Sequence, residues 1–514
     1  MIAPAGWRWA WPVLLGAAST LAFAPFDLWP LAVLCPLLMM RQWRAATPRQ
    51  AALRGFGYGV GLFAAGTWWL YISIHDMNDS PAWLALLLVG ALVLSMALYY
   101  ALTGWLLAKL YARCSPGPWC VGAAALWLLL EWLRGWLFTG FPWLQLGYSQ
   151  VDTWLAGWAP LIGSQGLGAW LLAVAALLLW ATGTGVTWRQ RGVALLLATL
   201  PWLGGRLLQP LQWTAASGEP VTVAVLQGAV PQSIKWLTTN RDPTRQLYHD
   251  LNNEALGAKL ILWPEAAVTE LANQIPQYLG QVLRESRLRG SDVVMGILRM
   301  DDRGEDVYNS MLALTSPLQF YDKQHLVPYS EYFPVPDWVR GVLQRLDLPY
   351  SDITHGAADQ PPLHAGGLNI GATICYEDAF GHALRGVLRQ ADVLANVTND
   401  AWFGRSPARY QHFENTRMRA IEAQRWLIRA ANDGISAIVG PDGKVVQSAT
   451  EFQPAVLRGT VTPRRGLTPY ARFGDWPVLA AAVLALLASF MAGRLRALKR
   501  MSGDTINASQ TDLE

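Results

Sequence analysis

Eight stretches of this chain are apolar enough, and nearly all long enough, to belong in a bilayer rather than in a water-soluble core. Spanning the hydrocarbon takes about 20 helical residues. The runs are residues 9–23, 31–40, 55–74, 81–108, 119–138, 162–181, 193–208 and 476–491. The second is short and follows the first across the turn "APFDLWP", so the two read as a tight helical hairpin. Composition agrees: 53% hydrophobic residues, only 15% charged ones and 27 tryptophans among 514 residues depart from what soluble domains use.

Charge is unevenly placed, with most acids and bases between about Gly218 and Arg472. The asymmetry predicts a membrane domain of seven helices over 1–212, a polar domain over 213–473 and one more transmembrane helix over 474–493. A cytoplasmic tail follows over 494–514, its end "SGDTINASQTDLE" polar and expected to be disordered. Arg41, Arg44, Arg49 and Arg54 follow the second run, Lys109 and Arg113 the fourth, Arg189 and Arg191 the sixth, and Arg494, Arg496, Lys499 and Arg500 the last. Basic loops stay inside, so both termini are expected in the cytoplasm, the polar domain on the opposite side, and the first run as an uncleaved signal anchor. A net charge of +4, small and concentrated in short loops, excludes a nucleic-acid-binding face.

Within the polar domain, short β-type runs at 221–230, 258–265, 291–300, 310–323, 368–375, 391–400, 426–446 and 456–463 alternate with helical patterns at 244–256, 276–289 and 415–425. That alternation, with "TSP" and "GPDG" turns for hairpins, predicts an α/β domain of mixed sheets.

Three residues in this domain sit at strand ends. In "LNIGATICYEDAF" Cys375 closes a strand and precedes an apparent helix start carrying Glu377 and Asp378. A buried filler and a nucleophile both fit such a cysteine. A disulfide does not, since Cys35, Cys114 and Cys120 all lie in or beside apolar runs. Glu265 ends the strand of "LILWPE", where sites in α/β sheets collect, and Lys323 follows the hairpin of "LQFYDKQHLVPYSEYFP", with Glu331 eight residues on. Each charge alone would read as solvated; their joint occurrence marks a site.

The strand-"WPE", "YDKQHLVPYSEYFP" and "TICYED" motifs, in this order, resemble the Glu-Lys-Cys triad of the nitrilase, or carbon-nitrogen hydrolase, superfamily. With "TGFPWLQLGYSQ", "LQGAVPQSIKW" and the flanking membrane helices, nearly the whole chain resembles the bacterial apolipoprotein N-acyltransferase family. The resemblance implies a multi-pass α-helical membrane base of about eight helices carrying a nitrilase-like αββα sandwich in the periplasm, in the bacterial inner membrane. It implies transfer of a fatty acyl chain from a phospholipid, typically phosphatidylethanolamine, to the α-amine of an apolipoprotein's diacylglyceryl-cysteine. Cys375 would be the thioester-forming nucleophile, Glu265 the base and Lys323 the oxyanion stabiliser, in two ping-pong steps. A positive Lys323 would also favour the thiolate. Glu331 matches a supporting glutamate that holds Lys323 or helps transfer protons; Trp236, Tyr376 and Glu377 match residues around the substrate pocket. Trp236 as a packing aromatic and Glu377 as a helix-capping acid are the plainer readings.

Both substrates being lipids, the site has to open toward the bilayer. Tyr332, Phe333, Trp402 and Phe403, in loops rich in Pro and Gly, either gate lipid entry or pack within the domain. Within the apolar runs, Glu131 and Arg134 stand one turn apart, as a structural pair or a headgroup contact. A membrane-anchored amidase with the same triad is the alternative function, and eight helices exceed what anchoring requires. A transporter is disfavoured by the scarcity of polar groups in the runs. The seven histidines show no ligand spacing, so neither metal nor cofactor is expected, and the working form is expected to be a monomer.

Overall fold

The computed structural model describes residues 7–328, 330–332 and 353–511. The chain divides into two compact units: Met1–Trp68, Leu87–Pro210 and Asp475–Glu514 form one, Trp69–Leu86 and Leu211–Gly474 the other.

The first unit is helical. Its long helices are α1 (Trp7–Ser19), α2 (Leu31–Arg44), α3 (Pro48–Gly66), α4 (Ala82–Leu110), α5 (Pro116–Arg134), α6 (Ala159–Ala181), α7 (Trp188–Leu208) and a C-terminal helix, Trp476–Thr511. Every apolar run therefore lies in or overlaps a helix. Among the described residues, Ala82–Leu110, Trp154–Ala181 and Trp476–Leu495 are long and apolar enough to cross a membrane. Thr47 and Thr187 start α3 and α7 as capping boxes with Gln50 and Gln190. Glycine lets α1 and α3 meet backbone to backbone: a Cβ on Gly61 would lie 1.9 Å from the Val13 carbonyl, and one on Gly16 as close to that of Tyr58. The C-terminal helix continues to Thr511 through the tail expected to be disordered, a stretch that contains no proline to stop it.

Glu131 and Arg134 form a buried structural pair 3.9 Å apart. Arg134 donates to the carbonyls of Phe141 (2.5 Å) and Trp143 (2.9 Å), and Glu131 accepts from the Leu146 amide (2.8 Å). Their task is to hold the irregular "TGFPWLQLGYSQ" segment after α5, whose backbone would otherwise lack partners.

The second unit is a sandwich of two six-stranded sheets. One runs β12(Ala455–Val461)-β1(Val221–Gln227)-β2(Leu260–Leu262)-β3(Asp292–Met300)-β4(Val307–Leu314)-β5(Gln319–Asp322). The other runs β11(Val445–Ser448)-β10(Ala437–Val439)-β9(Leu427–Ala431)-β8(Val393–Thr398)-β7(Leu368–Ile374)-β6(Leu363–Ala365). Each has a parallel trio, β1-β2-β3 or β7-β8-β9, flanked by antiparallel strands. Helices α8 (Arg241–Ala255) and α9 (Pro276–Leu288) cover the first sheet through Tyr248, Leu251, Trp263, Leu279 and Val282. Helix α10 (Ala408–Ala423) covers the second through Phe413, Ala420 and Ala423. The result is the expected αββα arrangement. Strand β6, only three residues long, escaped the sequence pattern, and α10 begins seven residues before the periodicity suggested.

Candidate active site

Glu265 owes its position to the turn after β2. Trp263 stacks on Tyr248 and donates from its indole to Asn252, both on α8, anchoring the strand end. Gly296 on β3 leaves the next residues room: a Cβ there would meet the Glu265 Cα at 2.5 Å. Glu265 is 7% exposed, and both carboxylate oxygens are engaged. Oε1 accepts from Asn309 Nδ2 at 2.8 Å, and Oε2 from the Asn399 amide at 2.9 Å, which links the turn to the second sheet.

Lys323 follows β5 and is 1% exposed. Its Nζ stands 2.8 Å from Glu331 and 3.5 Å from Glu265. Asn309 also donates to Glu331 (2.9 Å), as does the Val327 amide (2.8 Å). Burial alone would lower the Lys323 pKa, but Glu331, then Glu265 and Cys375, hold it above the usual lysine range. It is an ammonium in a dry place.

Cys375 directly follows β7 and sits in the left-handed region, at φ +51°. The helix expected after it is a single 3₁₀ turn, Cys375–Ala379, so there is no extended helix dipole for the acids to meet. Burial pushes the thiol well up, Glu265 adds to this, and Lys323 and a bond with Thr398 oppose it. Lys323 thus acts in the expected direction but is outweighed, and the resting group is a thiol that needs a base.

Glu377 joins the two sheets. One oxygen accepts from the Ile374 amide (2.8 Å) and Tyr321 hydroxyl (3.0 Å), the other from the Gln324 (2.7 Å) and His325 (3.1 Å) amides. Its neighbours therefore lie on both sides of Lys323 in the chain and just before Cys375: the bond to the Ile374 amide caps the 3₁₀ turn, as the plainer reading expected, and the other three bridge the two sheets. Burial pushes it up to about 7 against the pull of those amides. Asp378, fully buried, accepts from Thr373 (2.6 Å) and Thr416 (2.7 Å).

Glu265, Lys323, Glu331 and Cys375 are thus brought together. Tyr376 lies beside them, its ring edge-on to Phe380 at 5.1 Å. Trp236 is 44% exposed at the end of the short helix Gln232–Lys235. Tyr332 packs edge-on to His355, and Phe333 lies outside the described residues. Trp402 is half-buried, whereas Phe403 is buried edge-on to Trp69 at 4.7 Å. Among the described residues no cluster of His, Cys, Asp or Glu could hold a metal. Asn309, Asn399 and the buried Lys235, which donates to the Glu265 carbonyl at 3.3 Å, were not picked out from sequence. Lone polar residues within strands and turns carry no signal until pairing shows what they face.

Residues 15–177 match the family profile described as the apolipoprotein N-acyltransferase N-terminal domain, and residues 222–470 that of carbon-nitrogen hydrolase. A protein of Azotobacter vinelandii named apolipoprotein N-acyltransferase is 41% identical, covering 98% of this chain and all of its own length. The chain belongs to the apolipoprotein N-acyltransferase family. Namesakes from Nitrosomonas europaea and Pseudomonas putida are 42% and 38% identical, over 93% and 95% of this chain and 96% and 99% of theirs. A crystal structure of a CN-hydrolase superfamily protein from Xanthomonas campestris covers 53% of this chain and 97% of its own at 18% identity, but its TM-score of 0.35 is too low to carry weight. This acyltransferase-family chain is a membrane-bound enzyme in which a nitrilase-like sandwich is combined with apolar helices.

Proposed function

We propose that the chain moves a fatty acyl group from a phospholipid, with phosphatidylethanolamine the expected donor, through a thioester on Cys375 to the α-amine of a diacylglyceryl-cysteine at an apolipoprotein's N-terminus. The convergence of a buried thiol, a doubly hydrogen-bonded carboxylate and a buried ammonium carries this reading.

In the first half, Glu265 takes the thiol proton as sulfur attacks the ester carbonyl. Negative charge develops on the carbonyl oxygen opposite Lys323, whose ammonium is already in place and needs no reorganisation. Collapse breaks the ester C–O bond, and the lysophospholipid alkoxide leaves with the proton from Glu265. In the second half, the acceptor amine attacks the thioester and gives a proton to Glu265, which returns it to the departing thiolate. Glu331 keeps Lys323 charged and aimed. Trp236 and Tyr376 contribute to the substrate pocket, and Tyr332, Phe333, Trp402 and Phe403 to the lipid entrance.

The proposed setting is the bacterial inner membrane, with 1–212 and 474–493 in the bilayer, 213–473 in the periplasm, both termini in the cytoplasm and a monomer as the working form. Incubation with phosphatidylethanolamine labelled in its acyl chains tests the mechanism: a hydroxylamine-sensitive label should appear on Cys375 and vanish in Cys375→Ser. The same thioester persisting in that variant, or a normal yield in Glu265→Gln, would refute the assignment.

A further inference from the structure

Behind Cys375 lies a buried polar cluster that the transfer chemistry does not use. Asp400, His412 and Arg429 are each at most 1% exposed. His412 Nε2 lies 3.0 Å from the main-chain carbonyl of Cys375. A carbonyl oxygen can only accept, so Nε2 carries a proton. On the other side of the ring, Nδ1 is 3.0 Å from Asp400 Oδ1 and 3.0 Å from Arg429 Nη2. Whether Nδ1 donates to the carboxylate or accepts from the guanidinium, the ring plane is fixed and Nε2 remains the donor to Cys375.

The cluster is itself anchored. Arg429, on β9, reaches Asp400 at 3.0 Å, Asn396 on β8 at 2.8 Å and Thr416 on α10 at 2.6 Å. Arg429 and His412 hold Asp400 well below the usual carboxylate range against its burial, so its charge is permanent. Two neighbouring strands and the helix above them therefore grip one imidazole.

What the imidazole grips is a strained turn. A cysteine at φ +51° costs energy that its surroundings have to supply. Clamping its carbonyl fixes ψ of Cys375 and thereby the direction in which the sulfur leaves the chain. The far face of His412 is braced in turn: Phe403 meets it edge-on at 5.8 Å, Trp69 meets Phe403 at 4.7 Å, and Ser73 Oγ donates to the Trp402 carbonyl at 2.7 Å. The segment 69–76, which precedes α4, thus supports the wall behind the nucleophile.

We propose that His412 is a positioning residue that holds the Cys375 turn through its carbonyl, with Trp69 and Phe403 bracing the imidazole from the other side. The proposal rests on Cys375 being the acylated nucleophile.

The test compares acylation of Cys375, read by mass spectrometry, in the full-length wild type, His412→Gln, His412→Asn and Trp69→Leu, in detergent with phosphatidylethanolamine. A glutamine amide reaches the position of Nε2, whereas an asparagine amide reaches only that of Nδ1. His412→Gln should retain the rate to within about tenfold and His412→Asn should lose about 100-fold, both with KM for the donor unchanged and thermal midpoints lowered alike. Trp69→Leu should slow the same step, and its effect should vanish in the His412→Asn background. Equal losses in the Gln and Asn variants that track the thermal midpoint would overturn the clamp; a Trp69 effect that is nil or additive would overturn the brace. A wild type with no acyl group on Cys375 would instead overturn the transfer mechanism.

Discussion

Lys323 stands 2.8 Å from Glu331, and this contact keeps an ammonium charged where burial alone would favour its neutral form. The resting Lys323 pKa lies above 10.5, so the ammonium's contribution is complete below 10.5 and lost only as pH rises through the higher folded value. Glu331→Gln removes the larger of the two carboxylate contributions. The alkaline limb of acyl transfer should then move to lower pH, with kcat falling by about 10- to 100-fold. A pH-rate profile checks this, and an unmoved limb would separate Lys323 from the rate.

Glu265 raises the Cys375 thiol pKa by its charge as well as being the proposed acceptor of its proton. Glu265→Gln should therefore have opposite effects on two measurements. Alkylation of Cys375 by a small reagent should quicken at fixed pH, because the thiolate is less disfavoured, while acyl-enzyme formation stops. A parallel fall in both would count against the electrostatic account.

Gly296 makes the turn at Glu265 possible, since a Cβ would lie 2.5 Å from both the Glu265 Cα and the Pro264 carbonyl. Gly296→Ala should cost about 1–3 kcal/mol in unfolding free energy, as overpacking does, and lower kcat beyond that loss by shifting the carboxylate. Denaturant titration of the purified protein alongside turnover distinguishes the two effects.

The strand-end positions of Glu265, Lys323 and Cys375 were legible because β-strands announce themselves by local pattern, and the helices because apolar runs do. What followed Cys375 was not. An acidic pair after a strand looks like a helix start, yet Glu377 is engaged by donors 50 residues and more away in sequence, and Asp378 by Thr416. Asn309 and His412 were equally silent: a polar residue on a strand or helix looks solvated until the opposing layer is known. Phe403 and Trp402 sit next to each other and differ in burial for the same reason, because Trp69 covers the one ring.

Arg134 holds two carbonyls in addition to Glu131. Arg134→Leu strands a buried carboxylate and both carbonyls, and should cost about 3–5 kcal/mol. Glu131→Gln keeps an acceptor for the Leu146 amide and should cost clearly less. Thermal midpoints in detergent measure the difference, and equal losses would remove the loop-holding role.

Asp433 is pushed up from 3.8 to about 7 by burial and then by Asp400. The folded protein thus binds this proton more tightly than the unfolded chain does, so its contribution to stability is full below about 3.8 and is lost as pH rises through about 7. Asp433→Asn should flatten that part of the decline between about pH 4 and 7, as seen in thermal midpoints across the range. An unaltered slope would place the titration elsewhere.

Glu265 and Lys323 come from one sheet and Cys375 from the other, with Glu377 and the Asn399 amide stitched across. Chemical competence is therefore a property of the closed sandwich and of neither half alone. A nascent chain that has folded β1–β5 but not yet the second sheet possesses a carboxylate and an amine but no armed sulfur. Beside a bilayer holding the proposed acyl donor, such an enzyme is harmless until it is finished.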